Sequence, residues 1–264
     1  MALAEALLDL QRLTERLRAD CPWDREQTAR TIVPHTVEEA YEVADAAYGD
    51  DPAKLLDELG DLLFQVYFLA LLLEEDGEGD LETIARNVHA KLVRRHPHVF
   101  GETVAETPGD VRRSWEHTKR DLEDRAGIFH DVPATLPGLL QARKLQRRAV
   151  AAGFDWPDLE GPLAKVREEL GELEAEVART GEPGPETEPD ASVAHEVGDL
   201  LFTVVNLARK LNVDPELALR STNARFVARV ERAEELAAAR GECWSELPLA
   251  EQDRYYDQAK EEQS

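Results

Sequence analysis

Basic residues are scarce in this sequence. Thirty-one Lys and Arg stand against 55 Asp and Glu, a formal charge of −24 over 264 residues. Nucleic acid and anionic membrane both demand a basic face, so neither is expected as the main partner, and the acidic surplus itself needs no more explanation than solubility. Cysteine is nearly absent. Cys21 and Cys243 lie far apart and make no disulfide framework, which suits a reducing cytosol and a cytoplasmic location. Long apolar runs are missing too. The longest, Leu62 to Leu73, spans twelve residues and contains Gln65, whereas a bilayer crossing needs ~20; it reads as a buried core helix. Met1 to Asp20 alternates acids and bases and has no apolar signal core, so no secretory peptide is expected. No stretch has the pattern of a strand, which leaves an all-α fold.

What the chain does have is a repeat. Asp57-Glu58-Leu59-Gly60-Asp61-Leu62-Leu63-Phe64 returns as His195-Glu196-Val197-Gly198-Asp199-Leu200-Leu201-Phe202. Each copy opens an apolar helix with two carboxylates three residues apart, Glu58 and Asp61 or Glu196 and Asp199. At ~100° per residue such a pair shares one helix face. Gln65 continues that polar stripe in the first copy, and Thr203 and Asn206 continue it in the second. One helix upstream stand Glu39 and Glu42, or Glu169 and Glu172, again three apart. A turn separates the helices in each case (Gly49 to Pro52; Gly181 to Pro189), so each pair is expected to fold back as an antiparallel hairpin. That brings four carboxylates to one seam. Their mutual repulsion disfavours full ionisation unless a divalent cation sits among them. Oxygen ligands without Cys or His point to Mg²⁺ or Mn²⁺ rather than zinc.

The order of helices follows from periodicity and breakers. Ala2 to Arg18 is amphipathic, with Leu3, Leu7, Leu10, Leu13 and Leu17 on one stripe. Cys21-Pro22-Trp23-Asp24 breaks it, with Asp24 as a candidate cap for a short turn. Pro34 is expected in the first turn of the helix carrying Glu39. Helices are then expected over about 52–75, 80–95, 109–125, 139–152, 163–179, 192–211, 215–239 and 249–260. Gly181 to Asp190, with three prolines and four acids, is expected to be mobile. Residues 127–138, rich in Pro and Gly, mark a linker between a domain over 1–126 and another over 139–264. The repeat reaches further than the acidic helices: Lys91-Leu92-Val93-Arg94-Arg95 lines up with Arg225-Phe226-Val227-Ala228-Arg229. Two diverged copies fit this better than a solenoid, which needs more numerous and shorter units.

A cation held by carboxylates, with Lys and Arg nearby, suits a polyphosphate substrate: cationic side chains neutralise the departing group, and a carboxylate not needed as a ligand deprotonates the attacking water. A di-iron carboxylate bundle fails, because no histidine has a Glu three residues before it. A P-loop is absent. The twofold Glu-x-x-Glu and Glu-x-x-Asp pairs, with Lys91-Leu92-Val93-Arg94-Arg95-His96-Pro97-His98-Val99-Phe100 and Cys21-Pro22-Trp23-Asp24, resemble the MazG family of nucleoside triphosphate pyrophosphohydrolases from about Leu10 to Lys260. The resemblance implies two tandem all-α domains whose hairpins pair into four-helix bundles, usually in a homodimer. It implies Mg²⁺-dependent hydrolysis of nucleoside or deoxynucleoside triphosphates to monophosphate and pyrophosphate. It also implies metal-binding, catalytic roles for Glu39, Glu42, Glu58 and Asp61 in one half, and for Glu169, Glu172, Glu196 and Asp199 in the other. Lys91, Arg94, Arg95 and Lys119, and in the second half Lys165, Arg225 and Arg229, would face the phosphates, with Tyr256 against the nucleotide. Arg225 departs from the family's usual lysine and Tyr256 from its frequent tryptophan.

Other residues carry blander alternatives. His96 and His98 are two imidazoles where a zinc site needs four ligands, and fit local structure or a phosphate contact. Trp23 and Trp156 fit a core or a stacked base equally. Arg143, Lys144, Arg147 and Arg148 fit a solvated face or interdomain salt bridges better than a site for phosphate or an acidic partner. Glu38 and Glu168 read as bystanders, though either is also a candidate to orient the water. A non-enzymatic helical scaffold, binding a nucleotide or a protein partner, is the competing class; matched carboxylate groups that bind metal distinguish the enzyme from it. Broad and narrow base specificity both stay open, as does which half is active.

Overall fold

The computed structural model describes residues 2–49, 51–101, 127–130, 132–182, 184, 188 and 190–263. The expected helix over 109–125, with Trp115 and Lys119, lies outside them, as do 183, 185–187 and 189 of the second hairpin's turn. Among the described residues every regular element is helical. The chain divides into two compact units, Met1–Arg125 and Ala126–Ser264.

In the first unit the helices are α1 (Ala2–Asp20), α2 (Pro22–Glu26), α3 (Ala29–Tyr48), α4 (Pro52–Glu75), α5 (Leu81–Arg95) and the short α6 (Pro97–Phe100). The start of α3 corrects the sequence expectation. It begins five residues before Pro34, which lies inside the helix. A reciprocal cap makes the early start possible: Thr28 Oγ1 accepts from the Thr31 amide, and Thr31 Oγ1 accepts from the Thr28 amide. This satisfies free N–H groups of the first turn and offsets the one backbone bond that Pro34 forgoes. Asp24 is likewise no cap; it is buried within α2. Helix α4 starts from Asp51, whose Oδ1 accepts from the amides of Ala53 and Lys54, with Pro52 in its first turn.

Helices α3 and α4 form the expected antiparallel hairpin. Its core is Ile32 against Phe68 and Leu72, flanked by Phe64 and Leu69. Two sides of α4 are covered: Gln65, Phe68 and Leu72 are buried on the side of Ile32 of α3, and Tyr67 and Ala70 are buried beside Gln11 and Thr14 of α1, whereas Leu59, Leu63, Val66 and Leu73 remain exposed. Among the described residues the apolar run is thus only partly buried, because α1 and α3 leave one side of α4 uncovered.

Arg18 fastens α1 to this hairpin. Its Nε and Nη2 donate to the two carboxylate oxygens of Glu75 at 2.8 and 2.7 Å, and Nη1 donates to the carbonyls of Asp24, Arg25 and Gln27. The guanidinium thus closes the carbonyl end of α2 while holding the end of α4.

The second unit contains α7 (Gly138–Ala151), α8 (Glu160–Thr180), α9 (Ala191–Lys210), α10 (Pro215–Ala239), a 3₁₀ turn at Trp244–Glu246 and α11 (Leu249–Glu262). Helices α8 and α9 pair as α3 and α4 do, and α10 pairs with α11. Ala233, Ala237, Tyr255 and Ala259 form the core of the latter pair. Two expectations resolve here. Arg143 of the basic helix α7 pairs with Asp214 at 2.5 Å inside the unit, and Arg148 is buried rather than solvated. Trp156 packs over Gly161, where an added Cβ would come within 2.0 Å of the indole, so this Trp closes the start of α8. Its neighbour Asp155 is held by Arg209 at 2.6 Å and Lys210 at 3.2 Å, at the end of α9.

Replacing Arg18 by Met is expected to lower stability by about 2 kcal/mol, allowing for screening at the half-exposed Glu75. Denaturant melts check this; an unchanged midpoint would show that the five bonds are redundant.

Candidate metal centres

The hairpin register is what assembles the sites. In the first unit Glu42 and Glu58 act on one another, as do Glu39 and Asp61, while Ile32 packs on Phe68 further along. One oxygen from each of Glu39, Glu58 and Asp61 lies within 4.8 Å of the others. In the second unit the same holds for Glu169, Glu196 and Asp199. Each trio therefore draws one acid from the first helix of a hairpin and an i, i+3 pair from the second, as the spacing predicts. Glu42 and Glu172 stand beside the trios and are exposed, as is Asp61 of the first trio.

Burial and crowding leave their mark on these groups. Burial first, then the charges of Asp61, Glu42 and Glu58, pushes the Glu39 carboxyl above the ordinary range. Burial and Glu42 push Glu58 up, with Lys54 offsetting part of the rise. Glu172 is raised by burial and by Glu169, against the opposing pull of Lys165. Glu39 Oε2 is buried with no hydrogen-bond partner, as is Oε1 of Gln65 on the same seam. An unpartnered carboxylate oxygen, inside an all-oxygen donor set of like charges, fits a hard divalent cation. Each trio could hold one.

The basic side chains paired with these eight carboxylates, among the described residues, are Lys54, Lys165 and the imidazole of His195. Lys54 lies 4.0 Å from Glu58, Lys165 2.6 Å from Glu169 and 2.8 Å from Glu168, and His195 3.3 Å from Asp199. Lys165 was anticipated on the face of Glu169; Lys54 and His195 were not. The available signal was the same i, i+4 count, applied to Glu58 and Asp199. Counting back four from Glu39 likewise gives His35, which occupies in the first unit the place of Lys165 in the second. His35 lies 3.7 Å from Glu38 and edge-on to the half-exposed Trp23.

The other described cations expected near phosphate lie on α5 and α10. Lys91 and Arg94 are exposed on α5, with Arg95 half-buried beside them. Arg225 donates to Ser221 and Thr222 of its own helix, while Arg229 Nε is buried without a partner. Tyr256 packs against Phe226, ring centres 6.1 Å apart, in the α10–α11 pair. Lys119 lies outside the described residues. His96 and His98 face one another at 5.5 Å, with His96 Nδ1 against the Leu92 carbonyl and His98 Nδ1 unpartnered; no carboxylate trio includes them.

Paired carboxylates across helical hairpins, recurring once in each half, define an all-α protein of the class that can lodge a divalent cation between helices. Residues 27–100, which contain the first trio, match the MazG nucleotide pyrophosphohydrolase domain. The chain is 40% identical over 248 residues to the nucleoside triphosphate pyrophosphohydrolase of Escherichia coli (strain K12), covering 92% of this chain and 91% of that protein. It is 38% identical over 256 residues to the nucleoside triphosphate pyrophosphohydrolase/pyrophosphatase MazG of Thermotoga maritima, covering 96% and 94%. Identity to the nucleoside triphosphate pyrophosphohydrolase of Mycobacterium tuberculosis is 34% over 153 residues, 57% of this chain and 46% of that one. The chain belongs to the MazG nucleotide pyrophosphohydrolase family.

A carboxyl with a raised pKa binds its proton more tightly folded than unfolded. Its stabilising contribution is full below the ordinary value of 4.5 and is lost as pH rises through the folded-state value. Metal-free protein is expected to lose stability over that rise, and Mn²⁺, which binds the ionised form, to restore more of it at higher pH. Thermal melts at stepped pH with and without Mn²⁺ check this; an increment independent of pH would show that the ion goes elsewhere.

Proposed function

We propose that this protein hydrolyses nucleoside and deoxynucleoside triphosphates to the monophosphate and pyrophosphate, with Mg²⁺ as the working cation and Mn²⁺ as a substitute. The observation that carries this reading is the pair of carboxylate trios, each on a hairpin of a chain that matches nucleoside triphosphate pyrophosphohydrolases along most of its length. Glu39, Glu58 and Asp61, and separately Glu169, Glu196 and Asp199, would hold the ion. A bound Mg²⁺ supplies Lewis-acid polarisation of phosphate oxygens and counter-charge for the leaving group.

The chain's own groups do the rest. Water attacks the α-phosphorus; a new O–P bond forms as the α–β bridging bond breaks, and pyrophosphate departs with the bridging oxygen. Glu172 in the second unit, and Glu42 in the first, take the proton from the water. They stand beside the trios without belonging to them, and the raised Glu172 carboxyl is the stronger base for it. Lys165 is placed to move from Glu169 to a phosphate oxygen, and Lys54 to neutralise charge beside Glu58. Lys91, Arg94, Arg95, Lys119, Arg225 and Arg229 belong to this reading as further phosphate contacts, and Tyr256 as the nucleotide's aromatic neighbour. Base specificity is broad, in a house-cleaning role in the cytoplasm. No helix among the described residues is long and apolar enough to cross a membrane.

The working form in this reading is a homodimer whose hairpins pair into four-helix bundles, over domains 1–126 and 139–264 joined by 127–138. Its support is the matched exposed stripes: Leu59, Leu63 and Val66 on α4 correspond to Val197, Leu201 and Val204 on α9, and all are more than a third exposed. Such stripes are of the kind that a second hairpin covers.

Incubation with a nucleotide panel and Mg²⁺, separating pyrophosphate from orthophosphate, tests the activity; orthophosphate alone would overturn it. Glu58→Gln with Glu196→Gln is expected to abolish turnover, and each alone to report how the halves share it. Glu172→Gln should lower the second unit's kcat about 10²-fold or more while sparing Mn²⁺ affinity. Leu63→Glu with Leu201→Glu is expected to shift the sedimentation coefficient from dimer to monomer; an unaltered dimer would place its interface elsewhere.

A further inference from the structure

The two trios are built alike but differ in what already answers their charge. In the second unit the ammonium of Lys165 stands 2.6 Å from Glu169, the most buried member of its trio, and 2.8 Å from Glu168. An ammonium therefore occupies the flank of that site and satisfies an oxygen of one member of the trio. In the first unit the corresponding position is His35, whose recorded partners are Glu38 and the edge of Trp23 rather than Glu39. There Glu39 Oε2 is buried without any hydrogen-bond partner. Lys54, on the same helix as Glu58, reaches it only at 4.0 Å. Among the described ion pairs, the most buried acid of the second trio is answered by an ammonium at 2.6 Å, whereas the first trio has no pair as close.

We propose that the two units load their cation differently: the first takes a divalent ion on its own, whereas in the second Lys165 holds the place until a polyphosphate draws it away. The inference rests on the carboxylates being metal ligands, as in the function proposed above. It follows from competition for one set of lone pairs. A divalent ion entering the second trio must break the Lys165–Glu169 pair and approach a like charge, and both costs vanish when the ammonium moves to a phosphate oxygen. The first trio carries neither cost. Its unpartnered oxygen is a group whose burial is repaid only by a ligand. The second unit is thereby kept from holding metal unless substrate arrives, and the first stays loaded.

The test is binding, not turnover. Mn²⁺ is titrated into full-length protein without nucleotide and followed by the electron paramagnetic resonance of free ion. One tight and one weak class per chain are expected, the tight class lost with Glu39→Gln and the weak class with Glu169→Gln. Lys165→Met should tighten the weak class on the order of tenfold, and Lys165→His, which imports the first unit's residue, should do the same if Met disturbs folding. His35→Lys should weaken the tight class by a similar factor, an independent gain-of-function check. Equal affinities in the wild-type protein, or a weak class unmoved by both Lys165 substitutions, would overturn the inference while leaving the metal sites standing. Absence of Mn²⁺ binding at either trio would overturn the metal reading with it.

Discussion

Like charges brought together between two helices impose the constraint on which this protein turns. An antiparallel hairpin can bury its apolar seam only by choosing a register, and here the register that packs Ile32 on Phe68 also sets Glu39 by Asp61 and Glu42 by Glu58. Apolar burial holds the acids where their own repulsion would part them. The raised carboxyls and the orphaned Glu39 oxygen are the visible tension of that arrangement. A cation, a proton or a neighbouring ammonium relieves it, and the two units draw on these differently.

The surroundings of each hairpin serve to keep that register. Asp caps start α4 and α9, with Asp51 and Asp190 each accepting from amides of the first turn. The far end of each acidic helix is held by an ion pair of opposite polarity, to Arg18 of α1 in the first unit and to Asp155 ahead of α8 in the second. Arg18, which also caps the carbonyls around Asp24, grips Glu75 at the end of α4, whereas Arg209 and Lys210 at the end of α9 grip Asp155. The repeat has thus kept the place of the fastening and exchanged its charges. Among the described residues, Leu63 and Val66 in the first unit, and Leu201 and Val204 in the second, stay exposed.

Much of this was legible before any coordinates. The i, i+3 spacing of Glu58 with Asp61 and of Glu196 with Asp199 specifies one helix face, and the intervening turns specify hairpins; both are local properties of the chain. Helix ends at Asp80, Pro52 and Pro215 were legible for the same reason, since caps and prolines act on adjacent backbone. Where the reading failed, the deciding contact was elsewhere or was not counted. Pro34 by itself marks a helix start, but the Thr28–Thr31 cap, beginning six residues earlier, sets the true one. Arg148 looked solvated because nothing in α7 itself says which of its faces is covered. The twelve-residue run of α4, apolar but for Gln65, looked like a buried helix because hydrophobicity does not tell how many neighbours a unit supplies.

The sequence by itself determined the all-α class, the twofold repeat, the family resemblance and which carboxylates share a helix face, because each depends on neighbours within a few residues or on the order of side chains alone. Only the tertiary structure decided which three of each four acids converge within 4.8 Å, and that Glu39 keeps a buried oxygen without a partner. Those outcomes depend on the register between the two helices of a hairpin, and on the burial that register creates, and neither quantity is carried by a single helix.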